Sequence, residues 1–193
     1  GVAVLKEEYQ LGKLFFITGG ARSGKSTFAE KLAANYEDSI SYIATAIPFD
    51  DEMKDRIAKH RQQRPQSWKT YEAYRGIGGI IRQNHASVFL LDCMTVLITN
   101  QMLDEEVDWD HPTLEDVQKT ESNIRREVDD IIRAIKEVTA DLIVVSNELG
   151  MGLVPEYPLG RVFRDIAGRM NQLLAKAADE AYFVVSGIPL RLK

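Results

Sequence analysis

Gly19-Gly20-Ala21-Arg22-Ser23-Gly24-Lys25-Ser26 sets two glycines, a lysine and a hydroxyl at the spacing G-x-x-x-x-G-K-[ST]. Glycines let the backbone curl until successive N–H groups face one point, and that arrangement suits a phosphate. Lys25 then reaches the terminal phosphates of a nucleoside triphosphate, and Ser26 offers a hydroxyl to magnesium. Asp92 follows the apolar run Val88-Phe89-Leu90-Leu91. A buried strand there lifts its carboxylate to the sheet edge beside the loop, where an acid holds magnesium; the plainer reading is an aspartate that only starts a turn.

His60 lies in Asp50-Asp51-Glu52-Met53-Lys54-Asp55-Arg56-Ile57-Ala58-Lys59-His60-Arg61-Gln62-Gln63-Arg64-Pro65, a segment dense in groups that bind phosphate. Met53, Ile57 and His60 share one helical face, so one reading is a histidine that finishes an apolar stripe, with Arg61 and Arg64 in solvent. The other is nucleophilic catalysis. A neutral imidazole attacks the α-phosphorus of a triphosphate, expels pyrophosphate and holds the nucleotidyl group as a phosphoramidate, while neighbouring arginines neutralise the developing charge. His85, before an expected strand, and His111, in an acidic loop before Pro112, have no comparable surroundings and read as surface residues. Cys93 sits in an apolar stretch and reads as a small buried hydrophobe rather than a nucleophile.

The elements that must carry these groups follow from periodicity. Leu14 to Thr18 is a short apolar run broken by glycines, and Phe28, Ala29, Leu32 and Ala33 recur at helical spacing, giving strand, loop, helix. A second strand fits Ser39 to Thr45, and a helix opens at Asp50 or Asp51 and closes before Pro65. A weaker strand fits Trp68 to Tyr71. Val88 to Leu91 and Leu142 to Val145 are apolar on both faces, as the middle strands of a parallel sheet are. Between them, Asp104 to Asp116 reads as an exposed acidic loop and Leu114 to Val138 as a long helix whose charges form a solvated face. Val162, Ile166, Met170, Leu173 and Leu174 mark a helix after Pro158, and Tyr182 to Leu192 a hairpin through Ser186-Gly187. Alternating strands and helices predict an α/β fold: a three-layer P-loop NTPase (RecA-like) domain with a mostly parallel sheet and an antiparallel C-terminal edge hairpin.

The chain has 193 residues, 45% of them hydrophobic, enough for one substantial core and short of two ordinary domains. Residues 14–193 form that domain, and residues 1–13, which show no clear period, are an N-terminal extension. Lysine and arginine number 24 against 29 acids, a net charge of −5 that gives no positive field for nucleic acid. No apolar run approaches the roughly 18 residues of a membrane span. The single cysteine and the charged Lys6, Glu7 and Glu8 near the start fit a cytoplasmic protein.

Further blocks accompany the loop and the histidine: Tyr42-Ile43-Ala44-Thr45-Ala46; Trp68, Thr70 and Glu72; Leu91-Asp92-Cys93, Thr95 and Asn100; Ser146-Asn147-Glu148, Gly150-Met151-Gly152 and Val154-Pro155; Phe163 to Arg169 and Asn171; Ala177 to Glu180; Val185-Ser186-Gly187. In this order they resemble the bifunctional adenosylcobinamide kinase and adenosylcobinamide-phosphate guanylyltransferase family of cobalamin biosynthesis. That resemblance implies phosphorylation of adenosylcobinamide with ATP or GTP. Transfer of GMP from GTP to adenosylcobinamide phosphate through a guanylylated His60 then follows, with magnesium as cofactor. It implies that Ala44, Thr45, Ala46, Arg61, Gln62, Gln63, Arg64, Glu72 and Asp92 join the loop around the nucleotide, and that the chain forms a homo-oligomer, a trimer. Attack at two different phosphorus atoms requires the helix of His60 to move between reactions. The loop from Asn147 to Pro155 suits an acceptor site or a subunit contact. Set against this reading are a P-loop small-molecule kinase without nucleotidyl transfer, and a nucleotide-dependent switch or motor, for which the chain offers no asparagine-lysine-x-aspartate motif and no basic patch.

Overall fold

Residues 11–152 and 154–193 are described in a computed structural model. Of the extension expected over residues 1–13, residues 1–10 lie outside the described residues. Gly12 and Lys13 already belong to the fold, because the Gly12 N–H donates to the Val138 carbonyl and the Lys13 N–H to the Asp141 carboxylate, each at 2.8 Å.

The chain runs β1 (Leu14–Gly19), α1 (Lys25–Ala34), β2 (Ile40–Ala44), α2 (Asp51–Gln63), β3 (Lys69–Glu72), α3 (Ile77–Gln83) and β4 (Val88–Asp92). It continues through α4 (Met94–Asp104), α5 (Leu114–Ile135), β5 (Asp141–Asn147), α6 (Pro158–Ala177), β6 (Glu180–Val185) and β7 (Ile188–Arg191). The strands form one sheet in the order β3-β2-β4-β5-β1-β6-β7, parallel except for the pair β6 and β7. One strand, β5, separates the phosphate-loop strand β1 from the Asp92 strand β4, in keeping with the expected RecA-like domain.

The two faces of the sheet read directly from alternation along β4. Phe89 and Leu91 enter a large core with α3, α4, α5 and α6, whereas Val88 and Leu90 enter a smaller one with Ala29 and Ala33 of α1. All four are fully buried, each stabilising the fold by roughly 2 kcal/mol relative to exposure. The β6–β7 hairpin turns through Ser186 (φ 50°) and Gly187 (φ 77°), the paired left-handed residues that a two-residue turn between right-twisted strands requires.

Two helices have no counterpart in the expectations from sequence. In α3, Gly78 and Gly79 lower helical propensity, and in α4 the β-branched Thr95, Val96, Ile98 and Thr99 argue locally against helix. Packing overrides both, since Ile77, Ile81, Met94, Leu97, Ile98 and Met102 are buried. The acidic loop expected to be exposed is pinned at Trp109, which is 8% exposed and donates its indole N–H to the Met102 carbonyl (3.0 Å). Nor are the charges of α5 all solvated. Glu127 accepts the Gly76 and Ile77 N–H groups that open α3, and Asp130, with Glu137 just beyond the helix, grips Arg82 at its end. Arg82 in turn holds the Asp130 carboxyl below the usual aspartate range.

Candidate active site

The phosphate loop joins the end of β1 to the start of α1. Gly24 caps the helix at φ 91°, a left-handed conformation that a Cβ disfavours. A Cβ there would also lie 3.0 Å from the Gly187 Cα, and the Gly187 N–H donates to the Ser23 carbonyl at 2.7 Å. The turn of the C-terminal hairpin therefore buttresses the loop, a contact that no spacing in the sequence announces. Lys25 is buried and its Nζ donates to the Gly20 carbonyl within the loop (3.1 Å).

Asp92 ends β4 opposite Ala44 of β2, and its Oδ2 accepts the Tyr42 hydroxyl at 2.7 Å. Burial, then the negative charge of Asp92, pushes the Tyr42 hydroxyl far above the ordinary tyrosine range, so it stays a donor at every working pH. Over the Tyr42 ring, 3.6 Å from its centroid, lies the guanidinium of Arg64. Arg64 is the extended residue that ends α2, as the following Pro65 demands, and it is only 7% exposed. At the other end of α2, Asp50 accepts the Met53 N–H at 2.7 Å, so of the two expected caps Asp50 serves.

A cavity of about 270 Å³ brings these groups together: Lys25 and Ser26 from the loop, Asp92, Ala44 and Ala46 from the strand ends, and His60 and Arg64 from α2. Tyr42, Arg56, Ile57, Cys93, Val96 and Asn147 complete its wall. Arg61 and Gln62 instead line a neighbouring cavity of about 420 Å³ with Trp68 and Thr70, and Arg64 belongs to both. Thr45, Gln63 and Glu72 line neither of these cavities. Thr45 is buried and its hydroxyl clamps Cys93, accepting its N–H at 2.9 Å and donating to its carbonyl at 2.8 Å. Cys93 is buried, and that burial raises its thiol above the ordinary range, as a small inert hydrophobe requires. His85 is exposed, and His111 is an exposed partner of Asp108 at 3.3 Å.

His60 does not finish a buried stripe, for α2 contains no buried residue, and His60 itself is exposed at the cavity wall. A residue that sequence reasoning missed also faces this region. Glu30, on α1 one turn past Ser26, is half-buried, and its carboxyl is raised by burial and by Asp92, with Arg64 and His60 opposing the shift. The helical spacing Ser26 to Glu30 is the one signal the sequence offers for it, and it reads equally well as a solvated face. Asn147 opens the glycine-rich loop after β5; Leu153 within that loop lies outside the described residues.

The cavity can thus hold phosphates against the loop and Lys25, offer the oxygens of Ser26 and Asp92 to a hard cation, and present a histidine to a phosphorus atom. Among the described residues, no group of three or more His, Cys, Asp or Glu side chains is placed to hold a metal ion alone, and no helix is long and apolar enough to cross a membrane.

Residues 15–192 match the family of cobinamide kinase / cobinamide phosphate guanyltransferase. The bifunctional adenosylcobalamin biosynthesis protein CobU of Escherichia coli strain K12 is 45% identical over 182 residues, spanning 93% of this chain and 99% of that protein. The protein of the same name from Salmonella typhimurium strain LT2 is 41% identical over 187 residues, again spanning 93% of this chain and 99% of the relative. Among solved structures, a KaiC-like protein, PH0186 of Pyrococcus horikoshii OT3, aligns over 90% of this chain and 71% of its own with a TM-score of 0.47 and 14% identity.

Proposed function

The chain belongs to the cobinamide kinase / cobinamide phosphate guanyltransferase family, and from that premise we propose that it carries out both reactions in one cavity. In the first, a γ-phosphoryl group passes from ATP or GTP to the hydroxyl of adenosylcobinamide. In the second, a nitrogen of His60 attacks the α-phosphorus of GTP, the bond to the β-phosphate oxygen breaks, and pyrophosphate leaves. A phosphate oxygen of adenosylcobinamide phosphate then attacks the same phosphorus, the N–P bond breaks, and adenosylcobinamide-GDP is released with His60 restored. Cobalamin biosynthesis is the setting, and the reading takes the cytoplasm, where both triphosphates are held, as the compartment.

The observation that carries this reading is that His60 lines the same cavity as Lys25, Ser26 and Asp92. The loop glycines Gly19, Gly20 and Gly24, with Ala21, Arg22 and Ser23, supply converging N–H groups, and Lys25 neutralises phosphate charge. Arg64 places a buried cation beside the histidine. Arg61 and Gln62, across Arg64 in the adjoining cavity, offer donors to the remainder of the nucleotide. Ser26 and Asp92 fit magnesium, which takes one or two protein oxygens and fills its shell with phosphate and water. Bound there, it would neutralise charge on the phosphates. A simple P-loop kinase would leave the exposed His60 without a task.

The test is intact mass after incubation with magnesium and GTP. Wild type is expected to gain one GMP through an acid-labile, alkali-stable bond, and His60→Ala none; a wild type that binds GTP yet gains no mass refutes the covalent route. The same reading includes a homo-oligomer, a trimer. In support, Leu103, Met151, Val154 and Tyr157 are exposed, and Leu103 and Tyr157 line an apolar cavity of about 520 Å³ between α4 and the start of α6. Light scattering that returns the monomer mass refutes it.

A further inference from the structure

Tyr42 lies in β2, apart in sequence from both the phosphate loop and α2, yet it lines the cavity they share and contacts Asp92 and Arg64. Its place follows from register. Ala44 pairs with Asp92, so Tyr42, two residues earlier on the same strand, projects from the same face of the sheet as the Asp92 side chain. The hydroxyl then spans to the Asp92 Oδ2 at 2.7 Å, occupying one carboxylate oxygen and leaving the other free to face the cavity. On the ring lies Arg64, whose guanidinium is buried and rests 3.6 Å from the centroid. A buried cation needs compensation, and the face of an aromatic ring supplies it. Arg64 is also the residue at which α2 ends, so the ring is the platform on which that end of the helix sits.

We propose that Tyr42 is a positioning residue: its hydroxyl fixes the Asp92 carboxylate for magnesium and its ring docks the helix that carries His60. The proposal rests on the covalent reading above. One side chain thereby sets the metal-binding acid and the nucleophile relative to each other, although neither is its sequence neighbour. The two halves of the residue have separable consequences. Loss of the hydroxyl alone frees Asp92 to rotate and weakens magnesium binding without moving α2. Loss of the ring removes the platform as well.

Tyr42→Phe and Tyr42→Leu separate them, with magnesium titrations of covalent GMP gain and of phosphoryl transfer as the readouts. For Tyr42→Phe, the magnesium needed for half-maximal rate in both reactions is expected to rise about tenfold, with the maximal rate recovered at saturation. Tyr42→Leu is expected to show that shift and, in addition, a GMP gain about fivefold slower that magnesium does not restore. Magnesium curves of Tyr42→Phe that superimpose on wild type overturn the proposal. So does an equal loss of both reactions at every magnesium concentration in both variants together with a lowered melting temperature, which marks a residue that only holds the core. A wild type that gains no GMP refutes the covalent reading and this proposal with it, whereas in a wild type that gains GMP the two variants bear on Tyr42 alone.

Discussion

The phosphate loop and helix α2 face each other across one cavity and are held in opposite ways. The loop hangs from β1, which is paired on both sides by β5 and β6, and it feeds a helix with Lys25, Ala29 and Ala33 buried. Helix α2 has no fully buried residue among its 13, only the partly buried Met53 and Ile57. Its ion pairs, Lys54 with Asp51 and Arg56 with Glu52, are exposed and screened by solvent, so they contribute little. What fixes it lies at its ends, the Asp50 cap and the Arg64 stack on Tyr42. The proposed two-step reaction accounts for the difference. Binding phosphate requires N–H groups preorganised before the substrate arrives, whereas a histidine that acts on one phosphorus and stands aside for another must move at small cost.

The largest expected effect falls on the rigid side. Lys25→Ala should slow both phosphoryl transfer and covalent GMP gain by about 100- to 1,000-fold, because one grip serves both. Loss of only one activity in parallel rate assays would break the idea of a shared phosphate site. On the side of α2, Asp50→Ala removes the N-cap of that helix at a cost of about 1 kcal/mol. GMP gain should slow roughly fivefold while phosphoryl transfer changes less, and hydrogen exchange should quicken in α2 but not in α1. Unchanged exchange in α2 would mean that the helix is anchored by more than its ends.

The smallest effect concerns Glu30, which stands between the two regions. Its carboxyl is raised by burial and then by Asp92, so its ionisation costs the native state more than the unfolded chain. The stability tied to its proton is full below the ordinary glutamate range and is lost as pH rises through the raised value. Glu30→Gln should therefore melt about 1–2 °C higher than wild type near neutral pH without nucleotide, a small gain because the group is half exposed. The gain should shrink as pH falls toward the ordinary glutamate range. A variant that melts lower at neutral pH would show that Glu30 is instead held by an attractive partner.

The expected strands at Leu14–Thr18, Val88–Leu91 and Leu142–Val145 all stand in the sheet, because a strand buried on both faces writes its burial into consecutive apolar residues. Helices α3 and α4 were illegible for the converse reason: their glycines and β-branched residues oppose helix locally, and only the core they enter offsets that. At the site, His60 and the loop stood out by residue type and spacing. Tyr42 entered only within the block Tyr42 to Ala46 that carries the family resemblance, with no role attached, and Glu30 not at all, since neither belongs to a local pattern of chemistry.

By itself the sequence determined the phosphate loop, the fate of Asp92 at a strand end and the hairpin turn, since each is specified by interactions within a few consecutive residues. Tertiary structure alone decided that Gly187 buttresses Gly24, that Arg64 is buried on Tyr42, and that Trp109 pins the acidic loop. Those contacts depend on strand order. Nothing in residues 40–44 says that they will lie beside residues 88–92, and only once β2 and β4 pair does the Tyr42 hydroxyl come within a hydrogen bond of Asp92.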